Sequence, residues 1–506
     1  MSRDATDGAA EKHMSRFERT LAEGSLTTGH STSHVATPAS PRWYTLVALY
    51  CAVSIVILDA TVVYLALPSI QSDLAFPTSS LVWVINAYLL PSGGFLLLFG
   101  RLGDHYGHRR VFLLGVALFT VASLGCALVG AFSPLVIARA VQGVAAAAVS
   151  AVSLSLIAQQ FDAVSLRAQA LALYAFVCAG GNIAGVLLGG VLTATLSWRW
   201  IFLVNVPIGT LACALCLISP PRETQERKHA RIDVAGAALI TAAMMVAMYS
   251  VLNVATVGWW SIRTLLALCS TVFLFVLFIL VETRVTEPVI PLSLFRQRNF
   301  AASVVVGALW AGAHATWSFT TTLYLQRLLG YNAFQAGLAF LPTTVIGAVL
   351  SLSTSRSLIL RFGGKPPLVT GLLLFAAGLA LQTPSAHASF VTSVLPGMVL
   401  IGLGLGIGYS SFLLIALGEA KAGDHGIAAG ALNSSTVMGG AVALALVASA
   451  ASVRTSRLIA NGVSLPLALG NGYHLALGIG VAFAGAAAAT AVFFLRIRPP
   501  EPGPLQ

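Results

Sequence analysis

Charged residues are scarce in this chain of 506 residues: Asp, Glu, Lys and Arg together make up only 9% of it. Apolar residues make up 57%, and the mean hydropathy is +0.87. A soluble protein of this length does not need so much apolar surface, so the composition excludes that class. We therefore predict an all-α polytopic membrane protein.

Motifs for catalysis and nucleotide binding are also missing. There is no Gly-Lys-Ser/Thr phosphate-binding loop, so ATP does not drive this protein directly. All six cysteines lie in apolar runs, and the spaced pair Cys213 and Cys216 has no His or acid beside it to complete a metal site. We expect no catalytic residues, no metal and no other cofactor, and therefore not an enzyme.

Fourteen apolar runs are long enough to cross about 30 Å of hydrocarbon. They cover residues 44–68, 80–99, 111–131, 133–159, 168–194, 200–219, 233–253, 260–281, 300–325, 333–353, 367–384, 391–416, 426–451 and 473–495. Two charged loops divide these runs into six, two and six. The predicted domains are a disordered cytoplasmic tail (1–43), an N-terminal six-helix bundle (44–219), two linker helices (233–281), a C-terminal six-helix bundle (300–495) and a cytoplasmic tail (496–506).

Positive charge is distributed unevenly among the loops. After the first span, 17 Lys and Arg lie in loops on the side of the N-terminus, and five lie in the opposite loops. The positive-inside rule then places both termini in the cytoplasm, which requires an even number of spans. The net charge of +11 is thus explained by orientation in the plasma membrane. We expect the lipid bilayer as a partner and no nucleic acid.

Asp59 is the one carboxylate in the interior of a predicted span. An ionisable group at that depth costs at least ~2.5–3.5 kcal/mol on insertion scales, so a functional role is the default interpretation. A lone acid that binds and releases a proton in the membrane indicates a proton-coupled transporter. The alternative is a carboxylate that only packs against a polar neighbour.

The loop after the second span reads Gly-Arg-Leu-Gly-Asp-His-Tyr-Gly-His-Arg-Arg over residues 100–110. Gly100 and Gly107 allow a tight turn. Asp104 has Arg109 and Arg110 within reach for charge-assisted hydrogen bonds. Such a cluster can latch two helix bundles in one state and release them in another. A simple positive-inside anchor explains the two arginines but not the glycines and Asp104.

At this loop the chain resembles the major facilitator superfamily. Residues 58–68, 198–209 and 325–342 are similar to motifs of its fourteen-span drug:proton antiporters. The resemblance extends over nearly the whole membrane domain. It implies two six-helix bundles that alternate access, a hydrophobic or amphipathic drug as substrate, and the proton gradient as the energy source.

Arg139 lies within the fourth span and matches a family motif implicated in proton transfer. An arginine does not itself lose its proton. Close to Asp59, it can favour the ionised carboxylate, and at a distance it allows protonation. The alternative is that Arg139 only snorkels to the end of its span.

Gly181, Gly185 and Gly189 recur every four residues in the fifth span, and Gly190 follows. They leave one helix face bare, so that another helix can approach closely. The pattern resembles the motif that marks exporters within the superfamily. It departs from that motif at Val186, where a proline is usual.

Polar and aromatic residues within spans are candidates for a substrate cavity. They are Tyr64, Asn86, Tyr88, Gln142, Asn182, Trp310, His314, Trp317 and Asn433. His314 is the sharpest candidate, because an imidazole ordinarily titrates near neutral pH. A hydrogen bond between helices is the alternative for His314, and packing is the alternative for the aromatic residues.

These features together predict a proton-driven exporter of drugs, including antibiotics, that functions as a monomer. An excess of Arg over Lys, 24 to 4, suggests GC-rich coding and a self-resistance pump of an antibiotic producer. One alternative is a proton symporter or facilitator that imports a small metabolite, and another is a sensor or assembly subunit that moves nothing. A single membrane carboxylate favours neutral, monocationic or zwitterionic substrates over dications.

Overall fold

The computed structural model describes residues 40–160, 164–219, 233–258, 261–285, 295–353, 355–384, 389–418 and 425–496. All regular structure within these ranges is helical. This agrees with the predicted all-α class, because a helix bonds its own backbone groups and needs no partner from lipid. Residues 1–39 of the predicted tail (1–43) and residues 497–506 of the predicted C-terminal tail (496–506) lie outside the described residues, and the first helix begins at Ser40.

The first half of the chain contributes eight helices to the described residues. They are α1 (Ser40–Leu74), α2 (Leu81–Gly94), α3 (Leu96–Tyr106), α4 (His108–Leu128), α5 (Phe132–Gln160), α6 (Val164–Thr195), α7 (Trp200–Leu203) and α8 (Asn205–Ile218). A 3-10 turn at Thr78–Ser80 leads into α2. The helices run back and forth between two faces of the molecule. We call the face where α1 begins the N face and the opposite face the far face.

Ten more helices follow in the described residues. They are α9 (Val234–Val257), α10 (Ile262–Glu282), α11 (Arg298–Leu323), α12 (Ala333–Ser353), α13 (Ser355–Phe362), α14 (Lys365–Leu381), α15 (Phe390–Ser393), α16 (Leu395–Leu417), α17 (His425–Ala460) and α18 (Leu465–Phe494). A π-helical turn, Tyr324–Leu328, extends α11 at the far face.

Ten helices in the described residues are long and apolar enough to cross a membrane, or eleven if the bent pair α2 and α3 is one span. Three shorter apolar helices, Ala184–Thr195, Ala235–Ala247 and Lys365–Leu381, coincide with three further predicted runs. The count of fourteen spans stays a prediction.

The second predicted span is broken where α2 ends and α3 begins, and its two parts are bent by 49°. Two backbone carbonyls beside the break accept hydrogen bonds from other helices. Ser434 Oγ of α17 donates to Gly93 O at 2.9 Å, and Thr241 Oγ1 of α9 donates to Gly94 O at 2.7 Å. Hydroxyl groups from neighbouring helices thus satisfy the broken backbone.

Among the described residues, packing between helices of the two halves includes two extensive contacts. The helix α2 packs against α17, with α9 beside both. On the other side, α6 packs against α12, where Gly190 lies against Ala333 and Phe334. Within the halves, α4 packs extensively on α5, and α11 packs on α17 and α18.

Candidate functional site

Asp59 lies near the middle of α1, and its side chain is completely buried. Its carboxylate accepts hydrogen bonds from three side chains on two other helices. Oδ2 accepts from Arg139 Nη1, and Oδ1 accepts from Gln142 Nε2 at 2.8 Å and from Asn205 Nδ2 at 3.1 Å. The carboxylate inside the first predicted span therefore forms the centre of a polar cluster.

Arg139 of α5 is directed inward to this cluster and is 1% exposed. Its Nε donates to Val84 O at 3.1 Å. The guanidinium also lies over the ring of Tyr88, 4.4 Å from the centroid, and 5.6 Å from the centroid of Phe202. The position of Arg139 is thus that of a partner for Asp59 and not that of a side chain snorkelling to the headgroups.

Gln142 lies one helical turn after Arg139 and is completely buried. Its Nε2 donates both to Asp59 and to Ser123 Oγ, each at 2.8 Å. Its Oε1 accepts from Arg139 Nη1 at 2.7 Å and from Cys126 Sγ at 3.6 Å. Although Gln142 was predicted at a substrate cavity, the structure places it inside the Asp59 cluster.

The cluster can accommodate Asp59 in either of its two protonation states, ionised or protonated. A buried ion pair carries a desolvation cost of several kcal/mol per ion, so each charge needs close partners. With Asp59 ionised, the pair is neutral overall. With Asp59 protonated, Arg139 still has Val84 O, Gln142 Oε1 and two aromatic faces. The arrangement is therefore suited to binding and releasing one proton.

Three of the predicted cavity residues share a stretch of α11. Trp310 and Trp317 are buried, whereas His314 between them is exposed. The His314 ring lies 5.6 Å from the Trp317 ring and 6.4 Å from that of Phe375 on α14. The Trp310 ring packs on Phe412, with 6.0 Å between centroids. The three side chains thus belong to two groups of packed rings along α11, one with Phe412 and one with Phe375 and the exposed His314, and we call these groups together the aromatic cluster.

The other cavity candidates are dispersed. Asn86 is completely buried at the contact of α2 with α17, where its Nδ2 donates to Ala441 O at 3.4 Å. Tyr64 on α1 is half-buried, and Asn433 on α17 is exposed. The side chain of Asn182 lies outside the described residues.

The glycines of α6 lie against α1. A Cβ atom added at Gly185 would lie 2.0 Å from Thr61 Oγ1, and one added at Gly189 would lie 2.5 Å from Val62 Cγ2. At Gly181 the nearest atom would be in Ile57, at 3.3 Å. This is the close approach that a bare helix face permits.

In the loop between α3 and α4, Asp104 faces His108, with 3.2 Å between Oδ1 and Nε2. Arg109 Nη2 donates to Cys216 O and to Ser219 O, both at 2.6 Å, at the end of α8. Gly107 has a φ of 96°, a backbone conformation that residues other than glycine rarely adopt. These contacts stay within the first half, and the role of the loop as a latch between bundles stays a prediction.

Two sets of contacts had no assigned role in the sequence. Asn205 lies in the segment 198–209, which is similar to an antiporter motif. The only feature of the sequence that could have indicated its role is that it is a polar residue within the sixth span. At the far face, Gln326 Nε2 donates to Leu65 O at 2.9 Å, and Arg327 Nη2 donates to Gln71 Oε1. These two bonds join the end of α11 to α1.

The fold and the buried ion pair are those of a multi-pass transporter, and comparison with known proteins identifies the family. The model of the Major Facilitator Superfamily matches residues 49–444. This chain belongs to that superfamily. The resemblance found at residues 100–110 and in the other motifs is thereby confirmed.

Similar proteins include a resistance protein and a resistance and export protein of two Streptomyces species. The puromycin resistance protein pur8 of Streptomyces alboniger is 36% identical over 443 residues, which cover 86% of this chain and 87% of that protein. The tetracenomycin C resistance and export protein of Streptomyces glaucescens is 34% identical, over 81% of this chain and 77% of its own length.

A solved structure with the same fold is that of an auto-inhibited peptide transporter of the POT family. The TM-score is 0.65, and the alignment covers 91% of this chain and 98% of that one. The identity is only 15%, so this likeness concerns the fold alone.

Proposed function

We propose that this protein exports hydrophobic or amphipathic antibiotics across the plasma membrane in exchange for protons. One relative is named a puromycin resistance protein, and another a tetracenomycin C resistance and export protein. These names support a small-molecule drug as cargo. The excess of Lys and Arg in loops at the N face supports a cytoplasmic location of that face and of both termini.

The observation that carries the proposal is the buried ion pair of Asp59 with Arg139. Both side chains are almost wholly excluded from solvent, and both lie within helices. Ionisable groups at such depth are costly, and transporters use them to carry protons. The proton gradient is then the energy source, and no nucleotide is needed.

The cycle follows from the two charge states of the cluster. When the cluster opens to the far face, a proton binds Asp59, weakens its attraction to Arg139, and favours release of the drug. When the cluster opens to the N face, Asp59 loses the proton to the cytoplasm, and the site can bind drug again. Antiport requires that the drug and the proton favour opposite states of the protein. The energetic measure of this opposition is the coupling free energy between the two binding sites.

The aromatic cluster of α11 supports an amphipathic cargo. Trp310 and Trp317 supply flat apolar surface, and the exposed His314 between them supplies one polar group. Drug sites are typically lined by aromatic and apolar side chains with few polar groups. This cluster lies in the second half, whereas Asp59 lies in the first, so a drug and a proton can occupy separate places.

The test uses the purified full-length protein in proteoliposomes with an imposed pH gradient. Puromycin flux and proton flux are recorded together. We expect puromycin to move against its concentration gradient when protons move in the opposite direction, and a protonophore to abolish that movement. Tetracenomycin C serves as a second cargo.

Movement of drug and proton in the same direction would overturn antiport in favour of a symporter. Drug movement that ignores both the pH gradient and the protonophore would leave only a facilitator. If liposomes containing the protein transport neither compound nor any member of a wider drug panel, the exporter assignment fails.

A further inference from the structure

The Asp59 carboxylate is surrounded by donors, and this poses a problem for its protonated form. Gln142 Nε2 and Asn205 Nδ2 both point at Oδ1, and Arg139 Nη1 points at Oδ2. A protonated carboxyl has an O–H group that must itself donate. One neighbour must therefore offer an acceptor when the proton arrives, because a buried donor that is left unpaired is costly.

Arg139 and Gln142 are poorly suited to this change. A guanidinium has no acceptor at all. Gln142 is held at both ends, because Nε2 also donates to Ser123 Oγ, and Oε1 accepts from Arg139 and Cys126. Turning its amide would set Nε2, a donor, against Arg139 Nη1, which is also a donor.

Asn205 is differently placed. Its side chain is completely buried, and Nδ2 makes one bond, to Asp59. Its Oδ1 is a buried acceptor with no hydrogen-bond partner among the described residues. Asn205 stands at the break between α7 and α8, beside the carboxylate. A half-turn of its amide would exchange the N–H donor for this vacant acceptor and would disturb no other bond.

We propose that Asn205 is a positioning residue whose amide turns when Asp59 is protonated. Nδ2 donates to the ionised carboxylate, and Oδ1 accepts the O–H of the protonated carboxyl. The only covalent change is the addition of one proton from water to Asp59. One amide atom lacks a partner in either orientation, so the two orientations have similar costs. The inference rests on the proposed function, because it needs Asp59 to titrate.

The other titratable or charged groups near Asp59 do not supply the missing acceptor. Among the described residues they are Arg139, Cys126, Tyr64 and Tyr88. Tyr88 already donates its hydroxyl to a backbone carbonyl of α1 at 3.1 Å, and the Cys126 thiol donates to Gln142. Among the described residues, neither of these two groups forms a hydrogen bond with the Asp59 carboxylate, whereas Asn205 does.

Infrared difference spectroscopy of the full-length protein in proteoliposomes tests this inference. Asparagine labelled with ¹³C at the side-chain carbonyl is incorporated, and the pH is stepped through the titration of Asp59. The band of Asn205 is assigned by its loss in Asn205→Leu, or in Asn205→Thr if the first variant does not fold. We expect this band to move to lower wavenumber as the carboxyl band of Asp59 appears, since accepting a hydrogen bond weakens a carbonyl bond. The shift should be absent in Asp59→Asn.

An Asn205 band that stays fixed while the Asp59 carboxyl band appears would overturn the amide turn and leave the proposed function intact. If no carboxyl band disappears in Asp59→Asn, and that variant still exports drug against a gradient, the proton carrier lies elsewhere. That second result would overturn the proposed role of Asp59, and the role of Asn205 with it.

Discussion

Arg109 and Lys365 occupy equivalent places in the two halves of the chain. Arg109 follows the second span of the first half and donates to carbonyls at the end of α8. Lys365 follows the second span of the second half, and its Nζ donates to Val492 O at 2.7 Å and Leu495 O at 2.8 Å, at the end of α18. A cation at the end of a helix offsets its unpaired carbonyls and its dipole. The similar segments Tyr-Gly-His-Arg at 106–109 and Phe-Gly-Gly-Lys at 362–365 thus make similar contacts in the two halves.

Removing either cation should destabilise its own half. We expect Arg109→Met and Lys365→Met each to lower the free energy of unfolding by about 1–2 kcal/mol, because the helix-end carbonyls lose a charged donor. Thermal unfolding in detergent measures this effect. Arg110→Met, an exposed cation in the same loop, is the matched control. Equal effects of Arg109→Met and Arg110→Met would mean that general charge at the N face, and not the contact, stabilises the fold.

Loss of the titrating group at position 59 should uncouple transport. Asp59→Asn retains size and hydrogen bonding but cannot bind a proton, so drug accumulation driven by a pH gradient should cease while downhill drug exchange continues. Asp59→Glu restores the titrating group one methylene further out and should recover part of the coupling. Paired drug and proton fluxes in proteoliposomes measure both.

The matched control for Asp59→Asn is Asp73→Asn, in the same helix at the far face. Asp73 accepts from Trp198 Nε1 at 3.0 Å and Arg199 Nη1 at 2.7 Å and is partly exposed. Its loss should leave uphill export in place. Were Asp59→Asn to concentrate drug as the wild type does, His314 would be the next group to test.

The face of α6 that lies against α1 should not accept a side chain. In Gly185→Leu the new Cβ would meet Thr61 Oγ1 and the backbone of Leu58, so α6 and α1 must separate. Overpacking of this kind typically costs about 1–3 kcal/mol. Gly478→Leu on α18 is the control, because a Cβ there has no atom within 4 Å. Thermal unfolding and drug flux should fall only in the first variant, and equal behaviour would contradict the assigned packing face.

The hydroxyl of Thr241 should stabilise the break in the second span. Thr241→Val keeps the shape but leaves Gly94 O without its 2.7 Å donor, which should cost about 1–3 kcal/mol. Thr271→Val on α10 is the control, because that hydroxyl donates to Ala267 O within its own helix. A loss of stability in both variants alike would show that the linker helix does not specifically support the break.

The sequence predicted the helical class, and its candidates Asp59 and Arg139 lie together, because charges in apolar runs stand out. The sequence did not predict which side chains of other helices bond to Asp59. Gln142 and Asn205 meet Asp59 only because α5 and α8 pack against α1. Helix ends were also underestimated. The thirteenth run was predicted to end at 451, but α17 continues to Ala460, because hydropathy detects the apolar part of a helix and not its polar extension.

The bonds between α11 and α1 at the far face should hold that face closed. Arg327 donates to Gln71 Oε1, and the neighbouring Gln326 donates to Leu65 O from the same π-helical turn. Such turns occur frequently at functional sites. Both bonds join the two halves, so they must break whenever the far face opens. Arg327→Met removes one of them and should shift the equilibrium toward the open state.

Distances between spin labels measure this shift. Labels at Ala75 and Leu465, both exposed at the far face and in different halves, are placed in a background without native cysteines. If the Arg327 bond contributes about 1.4 kcal/mol, its loss should raise the ratio of the long-distance to the short-distance population about tenfold. Arg454→Met, which removes an exposed cation of α17 near the same face, should leave the distribution unchanged. An unchanged distribution in Arg327→Met would mean that the Arg327 bond does not help to hold this face closed.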